Sequence, residues 1–175
     1  FEILSDKSLL ISEPKKIKLI KLLSEISGHS GIAGGQLLDL SFENKKKSIN
    51  QIKAMQIKKT GKLFSFCCLA PAIISNKNQK IINKLEKVSH EIGLLFQITD
   101  DLIDKKGNSK KAGKKTKKDQ KSGKATLIGL LGYQNTIKYA HKLRVSIFNK
   151  LKIFGKKSDS LKKTVLFILE RNKWA

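Results

Sequence analysis

Three aspartates and one glutamine are spaced so that a helix would present them on one face. The four residues are Gln97, Asp100, Asp101 and Asp104. On a helix they fall within a stripe of about 100°, and apolar residues cover the rest of the circumference. Carboxylates three or four positions apart lie about 5–6 Å from each other, so their negative charges repel. A positive group must therefore compensate them.

Two kinds of positive group could compensate this acidic face. Mg²⁺ is a hard cation that binds oxygen ligands at about 2.0–2.1 Å and commonly links carboxylates to phosphates. Alternatively, lysines of the following segment could neutralise the aspartates as solvated ion pairs, each worth about 0–1 kcal/mol. So small a gain hardly explains why an apolar helix ends in three carboxylates. The pattern therefore favours a metal site that holds an anionic substrate.

Lysine and glycine residues elsewhere in the chain suit a phosphate. Lys59-Thr60-Gly61 combines a cation, a hydroxyl group and a residue that permits close approach. Two Gly-Lys steps, at 113–114 and 123–124, lie ten residues apart, and a loop of this kind could fold its ammonium groups over a bound anion. It is not a P-loop, because a Gly-x4-Gly-Lys-Ser/Thr sequence after a strand is absent.

The chain carries a large positive charge. Lys and Arg total 37 against 14 Asp and Glu in 175 residues, for a formal charge of +23. Only Arg144 and Arg171 are arginines, whereas base reading and bidentate phosphate recognition favour arginine. Nucleic-acid binding is therefore disfavoured. It stays open as an alternative for a basic helical protein that would use the segment 105–124, which holds ten lysines in twenty residues and is typical of a flexible loop.

The apolar pattern that must position these residues is helical throughout. Three helices are predicted from Pro14 to about Gly28, from Ser48 to Pro71 and from Ile81 to Asp104. The segment 126–151 is predicted to be helical with breaks, and a final helix begins at a cap formed by Ser158 and Asp159. A glycine-rich stretch at 28–36 would let another backbone or a ligand come close. No strand alternation of useful length appears. The predicted fold class is all-α, with about six helices.

Three features of the sequence bear on location and extent. No apolar run approaches the roughly 20 residues that span a bilayer, and no signal-peptide pattern opens the chain. The adjacent Cys67 and Cys68 are expected to be buried thiols of a reducing compartment. We therefore expect a cytoplasmic protein. The chain opens without a helix-start signal, as though inside a longer helix, and is expected to be a fragment.

Five blocks of the chain match one family in order and spacing. They are 31–39 (ending Gly-Gly-Gln-x-x-Asp), 59–61 (Lys-Thr-Gly), 93–104 (Gly-x-x-Phe-Gln followed by Asp-Asp-x-x-Asp), 113–126 (two Gly-Lys steps around an Asp) and 170–173 (Glu-Arg-Asn-Lys). In these blocks the chain resembles the short-chain trans-polyprenyl diphosphate synthases. The bacterial farnesyl and geranylgeranyl diphosphate synthases are the most similar branch.

This resemblance implies a fold and an assembly. The fold would be the all-α isoprenoid synthase fold, with residues 1–175 as the C-terminal portion of a single domain, a partial helical bundle without its N-terminal helices. The protein would be a homodimer. The family's first aspartate-rich motif and its isopentenyl diphosphate site would precede Phe1, so we expect this stretch alone to be inactive.

The resemblance also implies a reaction and the residues that serve it. An allylic diphosphate would ionise with the help of Mg²⁺, and isopentenyl diphosphate would attack the carbocation. The metal ligands would be Asp100, Asp101 and Asp104. The substrate-binding residues would be Lys59, Thr60, Gln97, Lys114 and Lys124, of which Lys59 and Lys114 would also be catalytic. Gln36 and Asp39 are expected to support helix packing. The alternative is a catalytically inactive homologue that serves as a subunit of an active partner.

Overall fold

Helices account for the regular secondary structure of the described residues. The computed structural model describes residues 1–106 and 123–171, and these contain no β-strand. The α-helices are α1 (Glu2–Ser5), α2 (Glu13–Ser27), α3 (Ile32–Ser41), α4 (Ile49–Gln56), α5 (Lys62–Ile74), α6 (Gln79–Lys106), α7 (Leu127–Leu131), α8 (Tyr133–Leu151) and α9 (Asp159–Glu170). A π-helical segment, Ile57–Gly61, joins α4 to α5, and a 3₁₀ segment, Lys152–Ser158, joins α8 to α9. The all-α prediction is confirmed.

The long helix predicted from Ser48 to Pro71 is continuous but not uniform. Ser48 opens α4 with a capping box, in which its hydroxyl accepts a hydrogen bond from the Gln51 amide and Gln51 Oε1 accepts one from the Ser48 amide. The helix then widens into the π-helical segment before α5 begins. The predicted end at Pro71 is wrong, because α5 continues to Ile74. A proline removes a hydrogen bond to the turn before it and leaves the residues after it free to stay helical, and here Ala72 and Ile73 are buried.

α6 is the central helix of the fold. It packs against both α5 and α8. Its fully buried side chains include Val88, Ile92, Leu95 and Ile98, which join the main hydrophobic core. The sequence prediction ended this helix at Asp104, but the structure continues it through Lys105 and Lys106. The sequence prediction placed both lysines in the loop at 105–124. Apart from them, the structure describes only Gly123 and Lys124 of that segment.

Glycines let three helical elements meet backbone to backbone. Gly35 of α3 lies against the backbone of Lys58 and Lys59, where a Cβ atom would overlap the chain. Gly93 of α6 faces Gly61 so closely that a Cβ on Gly93 would lie 2.5 Å from Gly61 Cα. Glycine is required at both positions for these approaches. The π-helical segment is therefore held between α3 and α6.

The predicted start of the last helix differs from the structure more than the prediction for α2 does. The helix expected from Pro14 to about Gly28 is confirmed as α2, with the buried Leu19 and Ile26 on its inner face. Ser158 does occupy the N-cap position of α9, but no side-chain cap forms. Its hydroxyl instead donates to the backbone oxygens of Leu151 and Gly155, at 3.3 and 2.7 Å. The end of α8 supplies the Leu151 acceptor and the 3₁₀ segment supplies the Gly155 acceptor, and the sequence prediction did not include this segment.

The two adjacent cysteines differ in their exposure to solvent. The expectation that both thiols are buried is wrong for Cys67, which is exposed. Cys68 is partly buried, and this burial, with a smaller contribution from Cys67, raises the pKa of its thiol to about 11. None of the helices in the described ranges combines the length and apolar character needed to cross a bilayer.

Candidate functional site

The π-helical segment directs Lys59 toward α3. Lys59 Nζ lies 2.5 Å from Asp39 Oδ2, forming an ion pair between the middle of the segment and the last turn of α3. Asp39 is only 7% exposed, and the Gly35 contact sets the distance between the two backbones. A partly buried ammonium group is thereby fixed in one orientation by a buried carboxylate.

The next residue of the same segment reaches the acidic face of α6. Thr60 Oγ1 donates a long hydrogen bond of 3.4 Å to Gln97 Oε1, and Gln97 Nε2 donates one of 2.9 Å to Asp101 Oδ1. Gln97 therefore links a hydroxyl group to a carboxylate that is 4% exposed. Mid-helix π segments often occur at functional sites. Here the segment places the Lys59 ammonium group against α3 and the Thr60 hydroxyl group against α6.

The aspartates of α6 do not all face the same neighbour. Asp101 and Asp104 are buried and line one cavity of about 310 Å³. Asp100 lies beside the C-terminal end of the described chain, where Arg171 Nη2 donates to its Oδ1 at 2.9 Å. The Arg171 guanidinium also stands 4.2 Å from the centre of the Phe96 ring. The predicted acidic face is thus divided between the cavity and α9.

The cavity beside Asp101 and Asp104 is lined by carboxylates, ammonium groups and smaller uncharged residues. Its lining residues are Asp101, Asp104, Lys105, Gly123, Lys124, Thr126, Ile128 and Gly129. A volume of this size is at the lower end of the range for small-molecule sites. Carboxylates and ammonium groups therefore meet at one opening, as a site for a metal ion and a negatively charged ligand would require.

A second, smaller cavity of about 30 Å³ shares lining residues with the first. It is bordered by Asp39, Met55, Gln56, Lys59, Gln97, Asp101, Lys124, Ala125 and Thr126. Asp101 and Lys124 border both cavities. Lys59 and Gln97, which are 38 residues apart in sequence, are therefore brought together with Asp101 and Lys124.

The other residues that the sequence analysis singled out differ in how they relate to the two cavities. Lys114 lies outside the described residues. Gln36 is exposed on α3 and has no part in either cavity. Asp39, expected only to support packing, is the residue that holds Lys59. The sequence missed Gln56, whose buried position appears only when α4 is packed, and the pairing of Arg171 with Asp100, which joins residues 71 positions apart.

The carboxylates at the cavity suit a magnesium ion that also binds a phosphate. Within residues 1–106 and 123–171, no three His, Cys, Asp or Glu side chains are grouped as a ready-made metal cage. Mg²⁺ does not need one, because it usually keeps several waters and is held by one or two carboxylates together with substrate phosphates. Asp101 and Asp104, at the same cavity as Lys124, match that requirement.

Comparison with known proteins decides the family. Residues 1–164 match the family model described as polyprenyl synthetase. The chain belongs to the polyprenyl synthetase family. The resemblance inferred from the sequence blocks is thereby confirmed, and the helical bundle described above is this family's all-α fold.

Individual polyprenyl synthetases are similar over most of this chain. The farnesyl diphosphate synthase of Micrococcus luteus is 34% identical over 158 residues, covering 90% of this chain and 54% of the relative. A solved FPP/GFPP synthase from Zymomonas mobilis superimposes with a TM-score of 0.82 at 33% identity, covering 95% of this chain and 55% of that one. The chain spans about half the length of the curated relatives it matches.

A further solved structure carries ligands. The geranyltransferase of Helicobacter pylori, in complex with magnesium and isoprenyl diphosphate, has a TM-score of 0.77 and 31% identity to this chain. The match covers 98% of this chain and 54% of that protein. It gives a member of the same fold that holds the two kinds of ligand for which the sequence predicted a site.

Proposed function

We propose that this chain belongs to a prenyltransferase that condenses an allylic diphosphate with isopentenyl diphosphate to give a longer polyprenyl diphosphate. The observation that carries the proposal is the convergence of Lys59, Gln97 and Asp101 at one small cavity beside a larger one. The names of the relatives, farnesyl and geranylgeranyl diphosphate synthases, support it. Among residues 1–106 and 123–171 we find no comparable assembly for the alternative, a nucleic-acid-binding protein.

The residues of the site suit the departure of diphosphate. As the allylic carbon–oxygen bond breaks, negative charge grows on the leaving group, and groups already fixed around it stabilise the transition state more than the ground state. Lys59 is fixed by Asp39 and would receive part of this charge. Lys124 borders the same small cavity as Lys59 and would share this charge, and Gln97 and Thr60 would orient the anion through their hydrogen-bonding groups.

The proposed metal ligands are the three aspartates of α6. Asp101 and Asp104 border the larger cavity, and Asp100 would join them from its present pairing with Arg171. Bound Mg²⁺ would supply electrostatic stabilisation of the developing diphosphate charge. Lys114 retains its proposed substrate-binding and catalytic role by sequence position, and we expect Lys114→Ala to weaken diphosphate binding.

Ligand binding tests this proposal more directly than turnover, because the chain spans only about half the length of its relatives. Titration calorimetry would follow an allylic thiodiphosphate, which cannot readily ionise, with and without MgCl₂. We expect binding that requires magnesium and weakens at least about tenfold in the variant Asp100→Ala/Asp101→Ala, since metal contacts to a phosphate are worth several kcal/mol.

A matched control separates this effect from a general loss of charge. Asp159 is an exposed aspartate that pairs with Lys162 at 2.9 Å, far from the site in sequence. Asp159→Ala should bind the analogue as the unmodified chain does. Binding that ignores magnesium, or equal loss in both variants, would contradict the proposal. Salt-sensitive binding of DNA without magnesium would instead support the nucleic-acid alternative.

The proposal extends to assembly and location through the family resemblance. We propose that the protein is a homodimer that acts in the cytoplasm with no membrane span. Light scattering coupled to size-exclusion chromatography would measure the mass in solution. A mass of one chain at micromolar concentration would contradict the dimer for this stretch of sequence.

A further inference from the structure

One buried polar group in the site has no role in the contacts described so far. Gln56 is the last residue of α4 and is only 3% exposed. Its Oε1 accepts no hydrogen bond from any group in the described part of the chain. A buried acceptor without a partner costs about 1–3 kcal/mol. Such a group either destabilises the fold without benefit or has a partner that is not part of the protein.

The position of Gln56 indicates what that partner is. Its side chain borders the smaller cavity together with Lys59 and Gln97. The cavity volume of about 30 Å³ exceeds the roughly 10–15 Å³ that one water molecule requires. It is far below the several hundred cubic ångströms of a typical ligand pocket. The space therefore admits one or two water molecules beside Gln56.

The cavity wall offers the polar partners that a buried water needs. A buried water typically makes about three hydrogen bonds. Lys59 has three N–H donors, one of which is directed to Asp39, and the water can accept a second. The water then donates to Gln56 Oε1. In this arrangement the third N–H of Lys59 is directed by two fixed partners rather than one.

We propose that Gln56 is a positioning residue of the diphosphate site, which holds a buried water that orients the ammonium group of Lys59. Gln56 does not touch the substrate in this proposal, and it acts through the water and the lysine. The inference rests on the proposed function for its effect on binding. The water site itself is a property of the folded chain and is observable without any substrate.

The first test is a crystal structure of the unmodified chain at a resolution that shows ordered water. We expect a water peak within hydrogen-bond distance of both Gln56 Oε1 and Lys59 Nζ. An empty cavity, or a direct hydrogen bond from a protein group to Gln56 Oε1, would overturn the proposal. This test does not depend on the folding of any variant.

The second test measures affinity with Gln56→Met, which keeps the length of the side chain and removes the acceptor. Titration with inorganic pyrophosphate and MgCl₂ should show binding about three- to tenfold weaker than that of the unmodified chain, the effect of one neutral hydrogen bond. Gln134→Met is the matched control, because Gln134 is exposed at the start of α8, and it should not change the affinity.

Thermal unfolding separates positioning from a purely structural role. If Gln56 were only an unpartnered buried amide, Gln56→Met would leave the pyrophosphate affinity unchanged and raise the melting temperature. That result would overturn the proposal. If the unmodified chain binds no pyrophosphate, the proposed function fails, and the role of Gln56 in it fails too. If the unmodified chain and Gln56→Met bind equally well, only the role of Gln56 is refuted.

Discussion

At the scale of single residues, the ion pair between Lys59 and Asp39 sets the character of the site. The carboxylate is buried and the ammonium group is partly exposed, so each is the other's main compensation for lost hydration. The sequence predicted Lys59 as a diphosphate ligand from its Lys-Thr-Gly block. It could not predict Asp39 as its partner, because the pairing depends on the backbone approach at Gly35.

Removing either member of this pair should destabilise the fold unequally. Lys59→Met leaves a buried carboxylate without its cation, so we expect a loss of about 2–4 kcal/mol in the free energy of unfolding, below the full value for a wholly buried pair. Asp39→Asn keeps a polar group beside a lysine that can still reach water, and should cost about 1–2 kcal/mol.

Urea denaturation of the two single variants and of Lys59→Met/Asp39→Asn would measure the coupling. We expect the double variant to be more stable than the sum of the single effects predicts, by at least about 0.5 kcal/mol. Strict additivity would mean that the two charges do not stabilise each other in solution, and that Lys59 is oriented by other contacts.

At the scale of the elements, the π-helical segment and the glycines around it position the site. The continuous apolar pattern from Ser48 predicted one long helix, and this was correct apart from its end and its regularity. The pattern could not reveal the π-helical segment, because one extra residue in a turn changes no side-chain type. That segment decides where Lys59 and Thr60 point, so this part of the site lay beyond sequence reasoning.

The contact between Gly61 and Gly93 is asymmetric, and the asymmetry is testable. A Cβ on Gly93 would lie 2.5 Å from Gly61 Cα, and backbone cannot yield as a side chain does. A Cβ on Gly61 would meet nothing nearer than 3.6 Å, an ordinary contact. We therefore expect Gly93→Ala to destabilise the chain by about 1–3 kcal/mol or more, while Gly61→Ala is close to neutral.

Thermal unfolding of the two alanine variants would check this expectation, and each serves as the control for the other. Both substitutions add one methyl group to the same interface and favour the helix equally. A lower melting temperature for Gly61→Ala than for Gly93→Ala would show that α6 and the π-helical segment approach each other differently from the geometry described.

At the scale of the whole molecule, family and fold were accessible from sequence, whereas the division of the acidic face was not. The blocks at 31–39, 59–61 and 93–104 identified the family, and apolar periodicity predicted the helical class. Periodicity also placed the three aspartates on one face of α6. It says nothing about which helix covers which part of that face, and Arg171 of the C-terminal end covers the part at Asp100.

The pairing of Arg171 with Asp100 should contribute modestly to the attachment of the C-terminal helix. Both side chains are about one-quarter exposed, so the ion pair is worth about 1 kcal/mol or less. The contact with the Phe96 ring adds about 0.5–1 kcal/mol. Arg171→Met should therefore lower the free energy of unfolding by about 1–2 kcal/mol in urea denaturation.

Arg171→Lys is the informative companion variant, because lysine keeps the charge but loses the planar group that fits both the carboxylate and the ring. We expect it to recover only part of the stability lost in Arg171→Met. Equal stability of the unmodified chain and both variants would show that the ion pair and the ring contact are not maintained in solution.

Asp100 and Asp101 are neighbours along the chain, yet their carboxylates contact different groups. Asp100 contacts the end of the last helix, and Asp101 contacts the amide of Gln97. A ligand that draws Asp100 toward the cavity must break its bond to Arg171. Occupation of the cavity would then change the contacts of Arg171, so a fluorophore attached near the end of α9 would report it.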